Sequence, residues 1–130
     1  MIRIILLFGL LLSISIGMAK AHTVFATQKP HWVLASWYDL PGRTMANGRI
    51  FKSGDSTIVA NLSLPFGTVL WVKYPRTEKV LKVIVQDRGP AKWTGRKLDL
   101  SGAGAHFLGY TRAGVVRLQV LSIKYPNNGR

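Results

Sequence analysis

The sequence predicts a mainly β protein: a small closed or nearly closed barrel carrying one short helix. Three observations point there. Short runs rich in β-branched and aromatic residues recur along the chain. Thirteen glycines and six prolines punctuate them as turns. Only one stretch, following Ser101, carries the start and stop signals of a helix.

The elements follow in order. Residues 22–33 have no clear period and read as a lead-in. Val33–Leu40 (VLASWYDL) is the first strand, and Pro41–Phe51 (PGRTMANGRIF), with Pro-Gly and Asn-Gly, is a turn-rich loop. Thr57–Ala60 is a short apolar strand, followed by a turn at Leu64-Pro65-Phe66-Gly67. Thr68–Tyr74 and Lys79–Gln86 are strands joined by a hairpin connection, Pro75-Arg76-Thr77-Glu78. In the last strand Val116, Leu118 and Val120 share one face, and Arg117 and Gln119 share the other. The single helix has Ser101 as its N-cap, Gly109 as its stop, and Ala103 and Phe107 on its expected buried face. Gly102 and Gly104 each weaken that helix by about 1 kcal/mol relative to Ala, so packing must hold it. The remaining residues, 124–130, form a polar tail.

The first 21 residues have the pattern of a cleavable secretory signal: Arg3, an apolar run from Ile4 to Met18, and a small-x-small site at Ala19-Lys20-Ala21. Cleavage after Ala21 leaves one domain of 109 residues in a secreted or periplasmic location; an uncleaved anchor is the alternative. There is no cysteine, so no disulfide, thiolate metal site, lipobox or lipid anchor is expected. His22, His31 and His106 lack metal-ligand spacing, and neither a metal nor a cofactor is expected. With Arg3 and Lys20 removed, 16 basic and 5 acidic residues leave a net charge of +11. An exported domain of that charge meets anionic polymers: cell-wall glycans, anionic lipid or nucleic acid. No nucleic-acid motif is present, so nucleic acid is not an expected partner, and a monomer is expected.

Six segments then occur in a specific order: ASWYD, GRTMANGRIF, ANLSLPFGT, VIVQDRGP, GRKLDLSGAGAHFLG and GVVRLQVL. As an ordered set, spanning residues 34–123, they resemble the rare lipoprotein A family (RlpA). The resemblance implies a six-stranded double-psi β-barrel with one or two short helices. It also implies lytic transglycosylation of peptidoglycan, which cleaves glycan strands to anhydro-muramic ends without water. Some family members prefer strands stripped of stem peptides. The barrel is similar to that of expansins and some endoglucanases, which hold a DL aspartate in a sugar groove. The chain departs from the family at two positions. A proposed catalytic Glu follows the Asn-Gly in the family, where Arg49 stands here, and the family's His before the Leu-Pro turn is Asn61 here. Asp87 of DRGP and Asp99 of DLS are retained. The chain resembles a minimal stand-alone version, lacking a carboxy-terminal peptidoglycan-binding repeat domain.

Glycosidic cleavage needs a proton donor at the leaving oxygen, and in a lytic transglycosylase one carboxyl can act first as acid and then as base. Asp87 and Asp99 lie twelve positions apart and are the carboxyls best placed to converge, with Asp87 favoured as the acid/base. If they meet, repulsion and burial raise the pKa of one of them. Turn and cap chemistry is the competing explanation for both. Asn61 and Arg88 are expected beside the groove to hold substrate. Arg49 suits a substrate carboxylate, and Asp55 is a possible stand-in for the missing Glu. Trp93 in the basic loop AKWTGRK is the leading sugar platform, Trp37 a second, and Trp71 is expected to be a packing residue. A non-catalytic wall-binding or wall-loosening module, as expansins are thought to be, is the rival reading, supported by the changed Glu and His.

Overall fold

The computed structural model describes residue 29 and residues 31–128. The export signal expected at 1–21, most of the lead-in and the end of the tail lie outside the described residues. Six strands form a closed barrel: β1 (His31–Tyr38), β2 (Ile58–Ala60), β3 (Val69–Tyr74), β4 (Lys79–Asp87), β5 (Leu98–Ser101) and β6 (Val116–Lys124). Their order around the barrel is β1-β5-β2-β4-β3-β6. The β1/β5 and β2/β4 pairs are parallel and the others antiparallel. One helix, α1 (Gly102–Leu108), follows β5 directly.

Alternation along each strand builds the interior. Val33 and Ala35, Val59, Leu70 and Val72, Val83 and Val85, Leu98 and Leu100, and Leu118 point into one core. Fully burying each of its leucines is worth about 1.5–3 kcal/mol. Ala105 and Leu108 of α1 join that core. Tyr110, also buried, donates its hydroxyl proton to the Ser36 carbonyl at 2.9 Å. A second, smaller cluster lies outside the barrel wall, where Met45, Phe51 and Ile58 pack with Tyr38. It fixes the 41–51 loop against the sheet as a flap, helped by backbone hydrogen bonds from Gly42 to Phe51 and from Phe51 to Arg43.

Several sequence expectations need correction. LDLS, to which the sequence reading assigns no strand, is strand β5, wedged between β1 and β2. Its four residues are too few for periodicity to register, yet Leu98 and Leu100 are core residues. The first strand begins at His31, inside the expected lead-in, because β6 reaches far enough to pair with it. The last strand runs one residue into the expected tail, to Lys124. Ser101 and Gly109 cap the helix as predicted, but its buried residues are Gly104, Ala105 and Leu108, and Phe107 is exposed beneath Lys79. Gly104 explains the rotation: a Cβ there would lie 3.1 Å from the Ser56 carbonyl oxygen, so only a glycine lets the helix press against that turn. Trp71 points outward and is exposed, since Leu70 and Val72 take the inward positions of β3.

Candidate active site

The two aspartates flank one residue. Ala60 of β2 pairs with Asp99 of β5 on one side and with Asp87 of β4 on the other. Asp99 in turn pairs with Ser36 of β1. Ser36, Asp99, Ala60 and Asp87 therefore form a row across four strands on the outer wall, opposite the inward Leu98, Leu100 and Val59. With strands about 4.8 Å apart, two spacings separate the aspartate backbones by roughly 10 Å. Asp87 reaches this row through a bulge. Val59 pairs with Val85, but Ala60 pairs with Asp87, so Gln86 is the extra residue. In a regular ladder the residue after Val85 faces out and the next faces in; the bulge turns Asp87 out of the core.

The two carboxyl groups have different surroundings. Asp87 accepts three hydrogen bonds: from the Tyr38 hydroxyl to Oδ2 at 2.8 Å, and from the amides of Ala46 and Arg88 to Oδ1, each at 2.9 Å. It thus ties the flap and the end of β1 to β4, and of the turn chemistry weighed against a catalytic role only the contact to the adjacent Arg88 amide is present. Asp99 accepts one hydrogen bond, from Ser36 Oγ to Oδ1 at 3.0 Å. Arg96 donates from Nη1 to the same Ser36 oxygen at 2.9 Å. Burial pushes the Asp99 carboxyl above its ordinary range; the Ser36 bond and Arg96 oppose this, and the charge of Asp87 adds to it. Burial, then the hydrogen bond and charge of Asp87, raise the Tyr38 phenol well above its usual value.

The other predicted residues are distributed around this pair rather than gathered on it. Asn61 is committed to the fold: Oδ1 accepts from the Ser63 and Leu64 amides, and Nδ2 donates to the Lys97 carbonyl. Arg88 is a strut, donating to the Asn61 and Leu64 carbonyls and lying 3.9 Å over the Phe66 ring. Arg49 and Asp55 line a separate cleft of about 550 Å³ that does not include either central aspartate. Asp55 Oδ1 accepts from both the amide and hydroxyl of Thr57, closing a local turn. Trp37 packs against the core and donates from Nε1 to the Thr111 carbonyl at 3.1 Å. Trp93 stands on a single 3-10 turn, Lys92–Thr94, and is 89% exposed. Beside it, Lys92, Arg96 and Lys97 line a cleft of about 290 Å³ with Asn61, Leu62 and Ser63.

Ser36, Tyr38, Arg96 and the Ala46 amide were not among the predicted site residues. The signal for the first two was present: Ser36 and Tyr38 alternate with Ala35 and Trp37 and share a face of β1. Arg43, with Tyr38 and Asp87, lines a small cleft of about 210 Å³ beneath the flap. Among the described residues, no group of three or more His, Asp or Glu could hold a metal ion. The ion pair present among them, Lys73–Glu78, is remote on the β3–β4 hairpin, so the cations around the aspartates are not neutralised by ion pairs.

A closed, mixed six-stranded wall with a pair of aspartates on its outer side defines the class: a double-psi β-barrel. The Streptomyces papain inhibitor (SPI) has the same fold, with a TM-score of 0.56 over 72% of this chain and 96% of that one, at 20% identity. The family model described as lytic transglycolase matches residues 32–120, and the chain belongs to that family. Among similar proteins, the "Endolytic peptidoglycan transglycosylase RlpA" of Vibrio cholerae is 35% identical over 100 residues, covering 74% of this chain and 37% of that protein. A protein of Aquifex aeolicus, "Probable endolytic peptidoglycan transglycosylase RlpA", is 44% identical over 84 residues, covering 63% of this chain and 36% of the other. The chain thus spans little more than a third of the length of these relatives.

Proposed function

We propose that the protein acts outside the cytoplasm on peptidoglycan, as a lytic transglycosylase that leaves anhydro-muramic ends. The observation that carries this reading is Asp99. It is half-buried on the outer wall, its carboxyl is pushed toward the protonated form, and Oδ2 makes no hydrogen bond among the described residues. A carboxyl in that state can protonate a glycosidic oxygen and then accept the proton of the sugar's own 6-hydroxyl. Asp87, engaged by three donors, then holds the flap and raises the pKa of its neighbour. This exchanges the roles suggested by the sequence, which favoured Asp87 as the acid. Arg96, Lys92 and Lys97 suit substrate carboxylates, and the exposed face of Trp93 suits a pyranose. Membership of the lytic transglycolase family supports the reading.

The test is incubation with purified, peptide-stripped sacculi and mass spectrometry of the released fragments. Anhydro-muramic ends are expected from the wild type, with a loss of at least about 100-fold in Asp99→Asn, the usual scale for a general acid. Fragments without anhydro ends, or an unimpaired Asp99→Asn, overturn the assignment. A second reading, a wall-binding module without turnover, is favoured by one specific observation: Asn61 and Arg88 are used by the fold, and Arg49 lies in another cleft. It predicts salt-sensitive sacculus binding with no fragments released.

A further inference from the structure

A cleft remote from both aspartates has its own chemistry. Trp32 of β1, Tyr74 and Pro75 at the end of β3, Arg76 of the hairpin, and Val116 and Arg117 of β6 line a shallow, open cleft of about 480 Å³, within the usual volume range of small-ligand sites. Trp32 lies on the same outward face of β1 as Ser36 but four residues away, about 13 Å along the strand. The cleft is therefore separate from the carboxylate row. No acidic residue lines it, and neither guanidinium meets a carboxylate among the described residues. Arg117 lies 5.6 Å from the Trp32 ring centroid, a cation held against an aromatic face. The Trp32 indole is 43% exposed, leaving ring surface uncovered. Tyr74 is buried as a whole, but no buried side-chain polar atom among the described residues lacks a partner, so its hydroxyl, which bonds no protein group there, is open to solvent where the residue lines the cleft.

We propose that this cleft is a second binding site for a saccharide bearing a carboxylate. The pyranose stacks on Trp32, its carboxylate is held between Arg76 and Arg117, and the Tyr74 hydroxyl is the remaining hydrogen-bonding group. A flat ring with an apolar face fits the indole wall and the Val116 and Pro75 floor, and a carboxylate fits paired guanidiniums. Identifying the sugar as the muramic acid of a glycan strand rests on the function proposed above; the chemistry of the cleft does not. The site would hold the wall polymer at a point distant from Asp99.

The protein's four tryptophans make the test local, because each indole N–H gives its own NMR signal. The full chain is titrated with N-acetylmuramic acid, with N-acetylglucosamine, which lacks the lactyl carboxylate, and with D-alanyl-D-alanine, a carboxylate without a sugar ring. N-acetylmuramic acid is expected to shift the Trp32 signal saturably and to leave Trp37 and Trp71 unmoved. Arg76→Ser/Arg117→Ser is expected to weaken that binding by at least about tenfold, on the scale of a lost charge-assisted pair. Both arginines are exposed, so the melting temperature should hold. Should the double variant melt early, the single variants carry the same test, each expected to weaken binding at Trp32. The proposal is overturned if the other ligands bind at Trp32 as tightly, if the variants bind unchanged, or if the shift is confined to Trp93. Because the readout is binding at Trp32, it is independent of whether sacculi are cleaved.

Discussion

Tyr38→Phe isolates the clasp that holds Asp87. It removes one oxygen, the donor to Asp87 Oδ2 at 2.8 Å, and keeps the ring that packs on Phe51 at a centroid distance of 5.0 Å. A hydrogen bond to a charged group is worth about 1.5–3 kcal/mol. Here both partners are half-buried, so water recovers part of that, and the expected loss is about 1–2 kcal/mol. In a domain of this size such a loss lowers the melting temperature by roughly 5–15 °C. Urea unfolding of wild type, Tyr38→Phe, Asp87→Asn and the double variant should give a coupling energy above about 0.5 kcal/mol. The pH dependence supplies a second check. The Tyr38 phenol is raised in the folded state, so its contribution is complete below its ordinary pKa of 10.0 and is lost as pH rises through the higher folded value. Tyr38→Phe should therefore lose less stability in alkali than the wild type. A Tyr38→Phe variant within about 0.5 kcal/mol of wild type, or strict additivity with Asp87→Asn, would refute the clasp.

Three further outcomes are expected. Asp99 is raised above its ordinary value of 3.8, so its stabilising contribution is present below that pH and is lost as pH rises through the folded value. Asp99→Asn should therefore gain in melting temperature relative to wild type between acid and neutral pH, and calorimetry across that range would reveal a flat difference if the assignment is wrong. Trp93→Ala should leave stability within about 0.5 kcal/mol, since nothing buries the ring, while weakening sacculus binding in a pull-down. Gly104→Val brings a Cβ against the Ser56 carbonyl and Leu81, and should destabilise by at least about 2 kcal/mol in denaturant unfolding.

Much of the barrel was legible because its strands are long enough to alternate or are bounded by Gly and Pro turns. Five strands, the helix caps at Ser101 and Gly109, and the hairpin at Pro75–Glu78 follow from that local chemistry. Strand β5 was missed because four residues embedded between two neighbours carry too little pattern of their own; its identity is set by what β1 and β2 offer it. The pairing of Asp87 with Asp99 across Ala60 depends on closure and on the bulge at Gln86, both non-local. Side-chain occupation was also out of reach. Asn61 and Arg88 have the right chemistry for a ligand, but the 61–66 turn uses them first.

Ala60 gives the outer wall a mechanical property. Both aspartates are bolted to the same three-residue strand, one through each edge, so their separation is a gauge set by the sheet and not by any loop. The loops around the site rest on this frame, the flap through Met45 and Phe51 on Ile58, while the spacing of the acids is held by strand pairing.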